Sequence, residues 1–128
     1  MKLLVLHFLL LISYVVSGQE LAGKWHSKDS TRIYRIYKKD DQFEAILEKS
    51  TRKSDKEGVI ILRHVTSRSK KRRFDGEIYT VNTGSPTFAK IRFEEHGQVL
   101  RLRLRRMFFM NVTIKWYRVE ENDTTQYE

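Results

Sequence analysis

The sequence predicts an all-β protein, an antiparallel up-and-down barrel of eight strands that follows a signal peptide. Apolar and polar residues alternate with a period of two along most of the chain, and turn-forming residues interrupt this alternation at short intervals. No window keeps a helical period long enough to predict a helix. The chain has 128 residues and no cysteine, so packing and sheet hydrogen bonds must stabilise the domain without disulfides.

The N-terminal residues are typical of a secretion signal. Lys2 supplies the positive charge, residues 3–16 are almost entirely apolar, and small residues follow at Ser17 and Gly18. About 14 apolar residues are short for a membrane anchor, which needs about 20. We expect cleavage after Gly18 and export to the periplasm or the extracellular space, with an uncleaved tether as the alternative. The predicted organisation is a signal peptide at 1–18, a β-barrel domain at 19–120 and a polar C-terminal tail at 121–128.

Eight segments of the mature chain predict strands. They are Gly23–Ser27, Thr31–Lys38, Gln42–Lys49, Gly58–Thr66, Phe74–Val81, Thr87–Glu94, Val99–Arg105 and Val112–Glu120. The polar connections are short, so consecutive strands should be antiparallel neighbours. Closing such a sheet removes both edges, and eight strands leave an interior wide enough for side chains or one small ligand. A flattened half-barrel or a two-sheet sandwich is the alternative.

The alternation separates an interior face from a solvent face on four of these strands. The residues expected inside are Phe43, Ala45, Leu47, Phe74, Gly76, Ile78, Ala89, Ile91, Phe93, Leu100, Leu102 and Leu104. Their charged neighbours are expected to face water, namely Glu44, Glu48, Asp75, Glu77, Lys90, Arg92, Arg101 and Arg103. The pattern therefore predicts an apolar interior and a charged outer wall.

The two ends of the mature chain resemble the calycin superfamily. Gly23-Lys24-Trp25 opens the first predicted strand, and Trp116-Tyr117-Arg118-Val119 closes the last one. In calycins the tryptophan of the first motif plugs the closed end of the barrel, and the arginine packs across it. The resemblance therefore implies packing at a barrel end for Trp25, Trp116 and Arg118.

The mature chain is also similar to a bacterial family of exported domains of unknown function, numbered 2147. The motifs that carry this likeness are Gly23-Lys24-Trp25, Ile36-Tyr37, Asp75-Gly76-Glu77-Ile78-Tyr79 and residues 112–119. The chain departs from the family at residues 50–57, which are basic and lack cysteine, and at residues 105–110, where relatives often have a glycine-rich stretch. The resemblance implies a calycin-like, lipocalin-like barrel with no established activity.

Basic residues are concentrated on one predicted sheet face, in a chain whose formal net charge is +9. A tight turn at residues 96–97 would place Arg92 opposite Arg101 and Lys90 opposite Arg103, and the next hairpin would bring Lys115 beside Arg103. Like charges directly opposite each other destabilise a sheet, whereas arginine forks suit phosphate and carboxylate groups. We expect an anion-binding face made of Lys90, Arg92, Arg101, Arg103, Arg105 and Lys115. A charged exterior that only resists aggregation is the alternative.

A run of large apolar residues lies at a predicted hairpin tip beside this face. It consists of Met107, Phe108, Phe109 and Met110. Loop residues are normally polar, so three interpretations stay open for the run. It folds inward as a plug, lines the mouth of a ligand site, or dips into a bilayer beside the arginines.

The sequence contains no catalytic or metal-binding motif. The histidines of the mature chain, His26, His64 and His96, are not at metal-ligand spacing, and no cysteine joins them. A nucleophile elbow and a phosphate-binding glycine loop are also missing. We therefore expect no catalytic residue, no metal and no cofactor. A hydrolase or isomerase of uncharacterised type is a minor alternative.

The preferred functional interpretation is a non-enzymatic exported binding module for a small apolar, amphipathic or anionic ligand. The alternative is an envelope structural or interaction protein whose arginine face docks an acidic partner or an anionic lipid or lipopolysaccharide surface. Nucleic acid is not an expected partner in vivo, because export separates the protein from it and the basic face lacks an aromatic stacking platform.

Overall fold

The strands form a closed antiparallel barrel in which each strand pairs with the next along the chain. This computed structural model describes residues 21–68, 73–79, 86–105 and 111–120. The strands are β1 (Gly23–His26), β2 (Arg32–Lys39), β3 (Gln42–Ser50), β4 (Ile60–Ser67), β5 (Arg73–Tyr79), β6 (Pro86–Glu94), β7 (Val99–Arg105) and β8 (Asn111–Arg118). The predicted fold class is confirmed, and every strand bound lies within two residues of its predicted position.

Several sequence expectations fall outside the described residues. These are the signal peptide at 1–18 and the polar tail at 121–128, which both stay predictions. Within the described part of the chain, no helix is long and apolar enough to cross a bilayer. The one helical turn described there, Glu95–Gly97, is a short 3₁₀ turn that joins β6 to β7.

The barrel has two different ends. We call the end where β1 begins at Gly23 and β8 stops at Arg118 the plugged end, and the opposite end, where β1 stops at His26 and β8 begins at Asn111, the mouth. β1 closes the barrel by pairing with β8 at Trp25–Arg118 and His26–Tyr117. Because β1 has only 4 residues and β8 has 8, the mouth half of β8 faces the connection from β1 to β2 instead of a strand.

Aromatic rings fill the plugged end. Phe43 contacts Phe74 edge-on at 6.2 Å between ring centroids, and Phe74 contacts Phe93 in the same way at 6.0 Å. Phe93 lies 6.3 Å from the ring of Trp25, which is completely buried. Arg118 then covers the outer face of this tryptophan, with its guanidinium carbon 4.2 Å from the ring centroid. The run of rings therefore closes this end of the barrel.

The predicted interior residues of β6 and β7 line the core. Ala89 and Ile91 on β6 and Leu100, Leu102 and Leu104 on β7 are all buried. Their charged neighbours on β7 lie on the outer wall, where Arg103 and Arg105 are exposed. Strict alternation on these two strands follows from a regular ladder, in which Ala89–Glu94 pair residue by residue with Val99–Leu104.

The expectation that Glu44 faces water is wrong. Its side chain is buried on the outer wall, where the hydroxyl of Tyr37 donates a hydrogen bond to its carboxylate. Arg63 and Lys39 approach that carboxylate to 3.5 and 4.0 Å. The register between β3 and β4 shifts on both sides of Ala45, and such bulges re-aim side chains. The neighbouring strand therefore covers a position that simple alternation predicts to be solvated.

Candidate functional site

The barrel-end residues Trp25 and Arg118 are held by polar contacts as well as by packing. The indole Nε1 of Trp25 donates to the carbonyl oxygen of Leu21 at 3.1 Å. The guanidinium Nε of Arg118 donates to the carbonyl oxygen of Gly97 at 3.1 Å, and burial lowers the pKa of Arg118. These contacts tie the N-terminal segment, the 3₁₀ turn and the last strand together, which suits a structural plug.

The mouth opens into a cup, a term we use for the cavity whose floor is formed by Tyr34 and Trp116. Their rings are stacked with centroids 4.0 Å apart and an angle of 13° between the planes. The apolar walls are formed by Ile61, Ile78 and Ile114. This open depression has a volume of about 860 Å³. Trp116 thus lines the cup and is also buried in the core that contains Trp25.

Two ion pairs tie together the connections that edge the cup. Arg32 binds Asp55 in a bidentate manner, with Nε–Oδ2 and Nη2–Oδ1 distances of 2.6 and 2.9 Å. Arg52 contacts Asp29 at 2.8 Å, and the backbone N–H of Thr51 donates to the carbonyl oxygen of Thr31 at 2.9 Å. The segments 27–31 and 51–58 are therefore joined into one rim.

These contacts change the ionisation of the rim. The hydrogen bond from Arg32, followed by that from Ser50, lowers the pKa of Asp55 from 3.8 to about 2. The same pair raises the pKa of Arg32. Hydrogen bonds from Ser27 and Thr31 lower the pKa of Asp29. Both carboxylates of the rim therefore stay ionised and engaged over the physiological range of pH.

A pH dependence follows from Asp55. Its folded-state pKa lies below the ordinary value, so its ionised form stabilises the fold above about pH 4, and that contribution is lost as the pH falls from about 4 to about 2. We expect Asp55→Asn to be less stable than the wild type near neutrality and to show a flatter decline in this acid window. Denaturant unfolding of both proteins across that window measures the difference. Parallel stability curves would contradict the account.

A second group of residues lies on the outer wall of β5–β8. The structure places Arg92 opposite Arg101 and Lys90 opposite Arg103. Lys115 lies opposite Arg101, while Thr113 lies opposite Arg103. The expectation that Lys115 lies beside Arg103 is therefore wrong by two residues. The reason is the register: Arg105 pairs with Asn111, so the two strands are symmetric about residue 108, one residue earlier than the expected pairing requires.

The predicted anion-binding face is thus brought together except at its mouth edge. Arg105 is exposed next to the hairpin tip, and the run Met107, Phe108, Phe109 and Met110 lies outside the described residues. Sequence reasoning missed Arg73, which lies on β5 opposite Arg92 and extends the basic row by one strand. The alternation of β5 begins at Phe74, and this placed Arg73 in the preceding loop.

Sequence reasoning also missed the cup. On β2 the residues Ile33, Tyr34, Ile36 and Tyr37 are all large, so the alternation does not say which ones face inward. The observation that could have pointed to the cup is the spacing of Arg32 and Tyr34, two residues apart on one strand, since both line it. In the described ranges, no three His, Cys, Asp or Glu side chains are close enough together to hold a metal ion.

The architecture defines a calycin-like, lipocalin-like barrel: a meander closed between its first and last strands, with a tryptophan at one end and an arginine across it. A protein from the human pathogen Helicobacter pylori, described as belonging to the lipocalin family, has a similar solved structure. The TM-score is 0.67 at 15% sequence identity, over 83% of this chain and 87% of that chain. At this identity the likeness shows the fold alone.

No family model matches the chain, and no curated protein matches it. The resemblance to the exported domain family numbered 2147 is therefore not confirmed and stays a prediction.

Proposed function

We propose that the protein is an exported, non-enzymatic binding module that takes a small apolar or amphipathic ligand in the cup. The observation that carries this proposal is the stacked pair Tyr34–Trp116 at the floor of a cavity of about 860 Å³. Tyr34 and Trp116 are 6% and 2% exposed, and the half-buried Ile114 adds apolar surface beside them. The lipocalin-like architecture supports the same interpretation, because barrels of eight strands have room for one small ligand.

The cup has the chemistry of an amphipathic site. Its floor and walls are aromatic and aliphatic, whereas its edge carries Lys28 and Lys115. Lys28 is exposed and forms no ion pair with the described carboxylates. The Nζ of Lys115 lies 3.3 Å from a carboxylate oxygen of Glu94. An apolar group would lie against Tyr34 and Trp116, with a polar or anionic end directed toward these ammonium groups.

The paired rim favours binding over catalysis. Asp29 and Asp55 are both engaged by an arginine and by hydroxyl groups, and their lowered pKa values make them weak proton acceptors. A rim that is already cross-linked loses little further freedom when a ligand binds. Export, which rests on the predicted signal peptide at 1–18, would expose this module to apolar and amphipathic molecules outside the cytoplasm.

A substitution that fills the cup tests the proposal. Ile114 is half-buried in the wall, and Ile114→Trp should occupy the space in front of Trp116. We expect the affinity for 1-anilinonaphthalene-8-sulfonate, an amphipathic anion with an aromatic body, to fall at least about tenfold. Fluorescence titration of the folded protein measures the affinity.

Ile46→Trp is the matched control. Ile46 is also half-buried but lies on the outer wall of β3 opposite Arg35, away from the cup. This variant should bind the probe within about twofold of the wild type. Equal losses in the two variants, or a wild type that does not bind the probe, would count against the cup as the ligand site.

A further inference from the structure

We propose that the outer wall of β5–β8 holds a second site, for a compact ligand that carries two or more closely spaced phosphate groups. We call this surface the basic wall and define it by Arg73, Lys90, Arg92, Arg101, Arg103 and Lys115. It lies on the opposite side of the sheet from the interior. Lys115 also borders the cup, but Arg92 and Arg101 do not, so the site can be tested separately from the ligand of the cup.

The strand register aligns the cations of the basic wall in rows. Arg73 lies opposite Arg92, Arg92 lies opposite Arg101, and Arg101 lies opposite Lys115, so that one row crosses four successive strands. Neighbouring strands are about 4.8 Å apart. The pair Lys90–Arg103 forms a second row two residues away, which is about 7 Å along the strands.

The described carboxylates do not balance this charge. Glu94 is shared by Arg101 and Lys115, both at 3.3 Å, and by Arg92 at 3.9 Å. Burial alone would raise the pKa of Glu94, but Lys115 and Arg101 outweigh burial and lower it. Asp75 is already engaged by Arg68 at 3.5 Å.

Several cations of the basic wall have no protein acceptor among the described residues. Arg73, Lys90 and Arg103 form no ion pair within the described part of the chain, and the buried Nε of Arg101 has no hydrogen-bond partner there. Opposed like charges cost a sheet stability, and a buried donor without an acceptor costs more. A bound anion would supply the missing acceptors and screen the repulsion.

The shape of the basic wall favours a compact ligand. Arg73, Lys90, Arg92, Arg101 and Arg103 surround a depression of about 520 Å³. Arg68 and Asp75 also line it, and Asp75, which Arg68 engages, lies opposite Lys90. A phosphate group carries close to two negative charges and three acceptor oxygens, so that one group satisfies several guanidinium forks at once. Two or more linked phosphate groups can contact cations on neighbouring strands at the same time, whereas an isolated carboxylate would bind a single guanidinium group.

Calorimetric titration with inorganic tripolyphosphate near physiological ionic strength tests the site. We expect Arg92→Gln/Arg101→Gln to weaken binding at least about tenfold relative to the wild type. The matched control is Lys38→Gln/Lys49→Gln, which removes the same charge from exposed positions on β2 and β3. Its affinity should stay within about twofold of the wild type, because exposed charges at a distance are largely screened.

Sedimentation with vesicles identifies the source of the phosphate groups. If vesicles containing cardiolipin, whose headgroup carries two linked phosphate groups, retain the wild type but not Arg92→Gln/Arg101→Gln, the ligand is a lipid headgroup. If tripolyphosphate binds and the vesicles do not retain the protein, the ligand is a soluble polyphosphate. Failure of both probes to bind the wild type, or equal binding by the wild type and both double variants, would overturn the proposal.

A single variant guards against unfolding as the cause of lost binding. The side chain of Arg103 lies opposite Lys90 and has no ion pair among the described residues. Arg103→Gln should therefore raise the melting temperature slightly while it weakens tripolyphosphate binding. A lower melting temperature with unchanged binding would assign the basic wall a structural role and contradict the proposal.

Discussion

Trp25→Ala is expected to lower the free energy of unfolding by about 3–5 kcal/mol, the cost of truncating a large aromatic side chain in a core. Trp25 is completely buried. Its ring contacts Phe93 and Arg118, and its indole N–H is held by the carbonyl of Leu21. Truncation would leave a cavity at the plugged end, remove one contact of the half-buried guanidinium of Arg118 and remove the hydrogen bond to Leu21.

Denaturant unfolding followed by circular dichroism measures this loss. The control is Phe88→Ala, since Phe88 is an aromatic residue on the outer wall of β6 and is 44% exposed. Its truncation should cost about 0.5 kcal/mol or less, as is usual for surface positions. If Trp25→Ala costs no more than Phe88→Ala, the plug does not stabilise the barrel in the way described.

Glu44→Ala is expected to destabilise the protein by about 1–3 kcal/mol, the range for hydrogen bonds to a charged group. Its buried carboxylate accepts a hydrogen bond from Tyr37 and compensates the cations of Arg63 and Lys39. The variant would leave these three groups without their shared partner. The loss is smaller than for Trp25 because both cations reach solvent, with side chains 42% and 65% exposed.

Tyr37 provides a second measurement of the same contact. The hydrogen bond to Glu44 raises the pKa of Tyr37 from 10.0 to about 12. Spectrophotometric titration of Glu44→Ala should show one tyrosine whose pKa has returned toward 10.0. Glu120→Ala, which removes an exposed carboxylate, should change neither the titration nor the stability. An unchanged tyrosine titration in Glu44→Ala would contradict the assigned contact.

Glu44 also marks where sequence-based prediction of this fold fails. Where two strands pair without a register shift, as β6 and β7 do, alternate side chains point to the same face. Ala89, Ile91 and Leu102 could therefore be assigned to the interior from the sequence. The β3–β4 ladder shifts register near Glu44, and the side chains that cover this position come from β2 and β4. A bulge leaves no mark in the alternation of a single strand, because it depends on how two strands pair.

The candidate sites, like the fold, could be predicted from the sequence only in part. The basic rows could be predicted because the turn at residues 95–98 is tight and fixes the pairing of Arg92 with Arg101. Lys115 was misplaced because its partner depends on where the connection between β7 and β8 is centred, and residues 105–112 contain no turn signal that fixes this centre. The cup depends on contacts between residues far apart in the chain, such as Arg32 with Asp55, and on the early end of β1 at His26. Neither is specified by a local pattern.

Methyl NMR of the isoleucine side chains tests the central claim, that the cup is the ligand site, most directly. During titration with 1-anilinonaphthalene-8-sulfonate, the resonances of Ile61, Ile78 and Ile114 should shift, because these residues line the cup. Ile36 and Ile91 are buried in the core and do not line the cup, so their resonances should hardly move. Saturable shifts confined to the first group are the predicted result. Shifts confined to other isoleucines, or no shifts at saturating probe, would contradict a binding function for the cup.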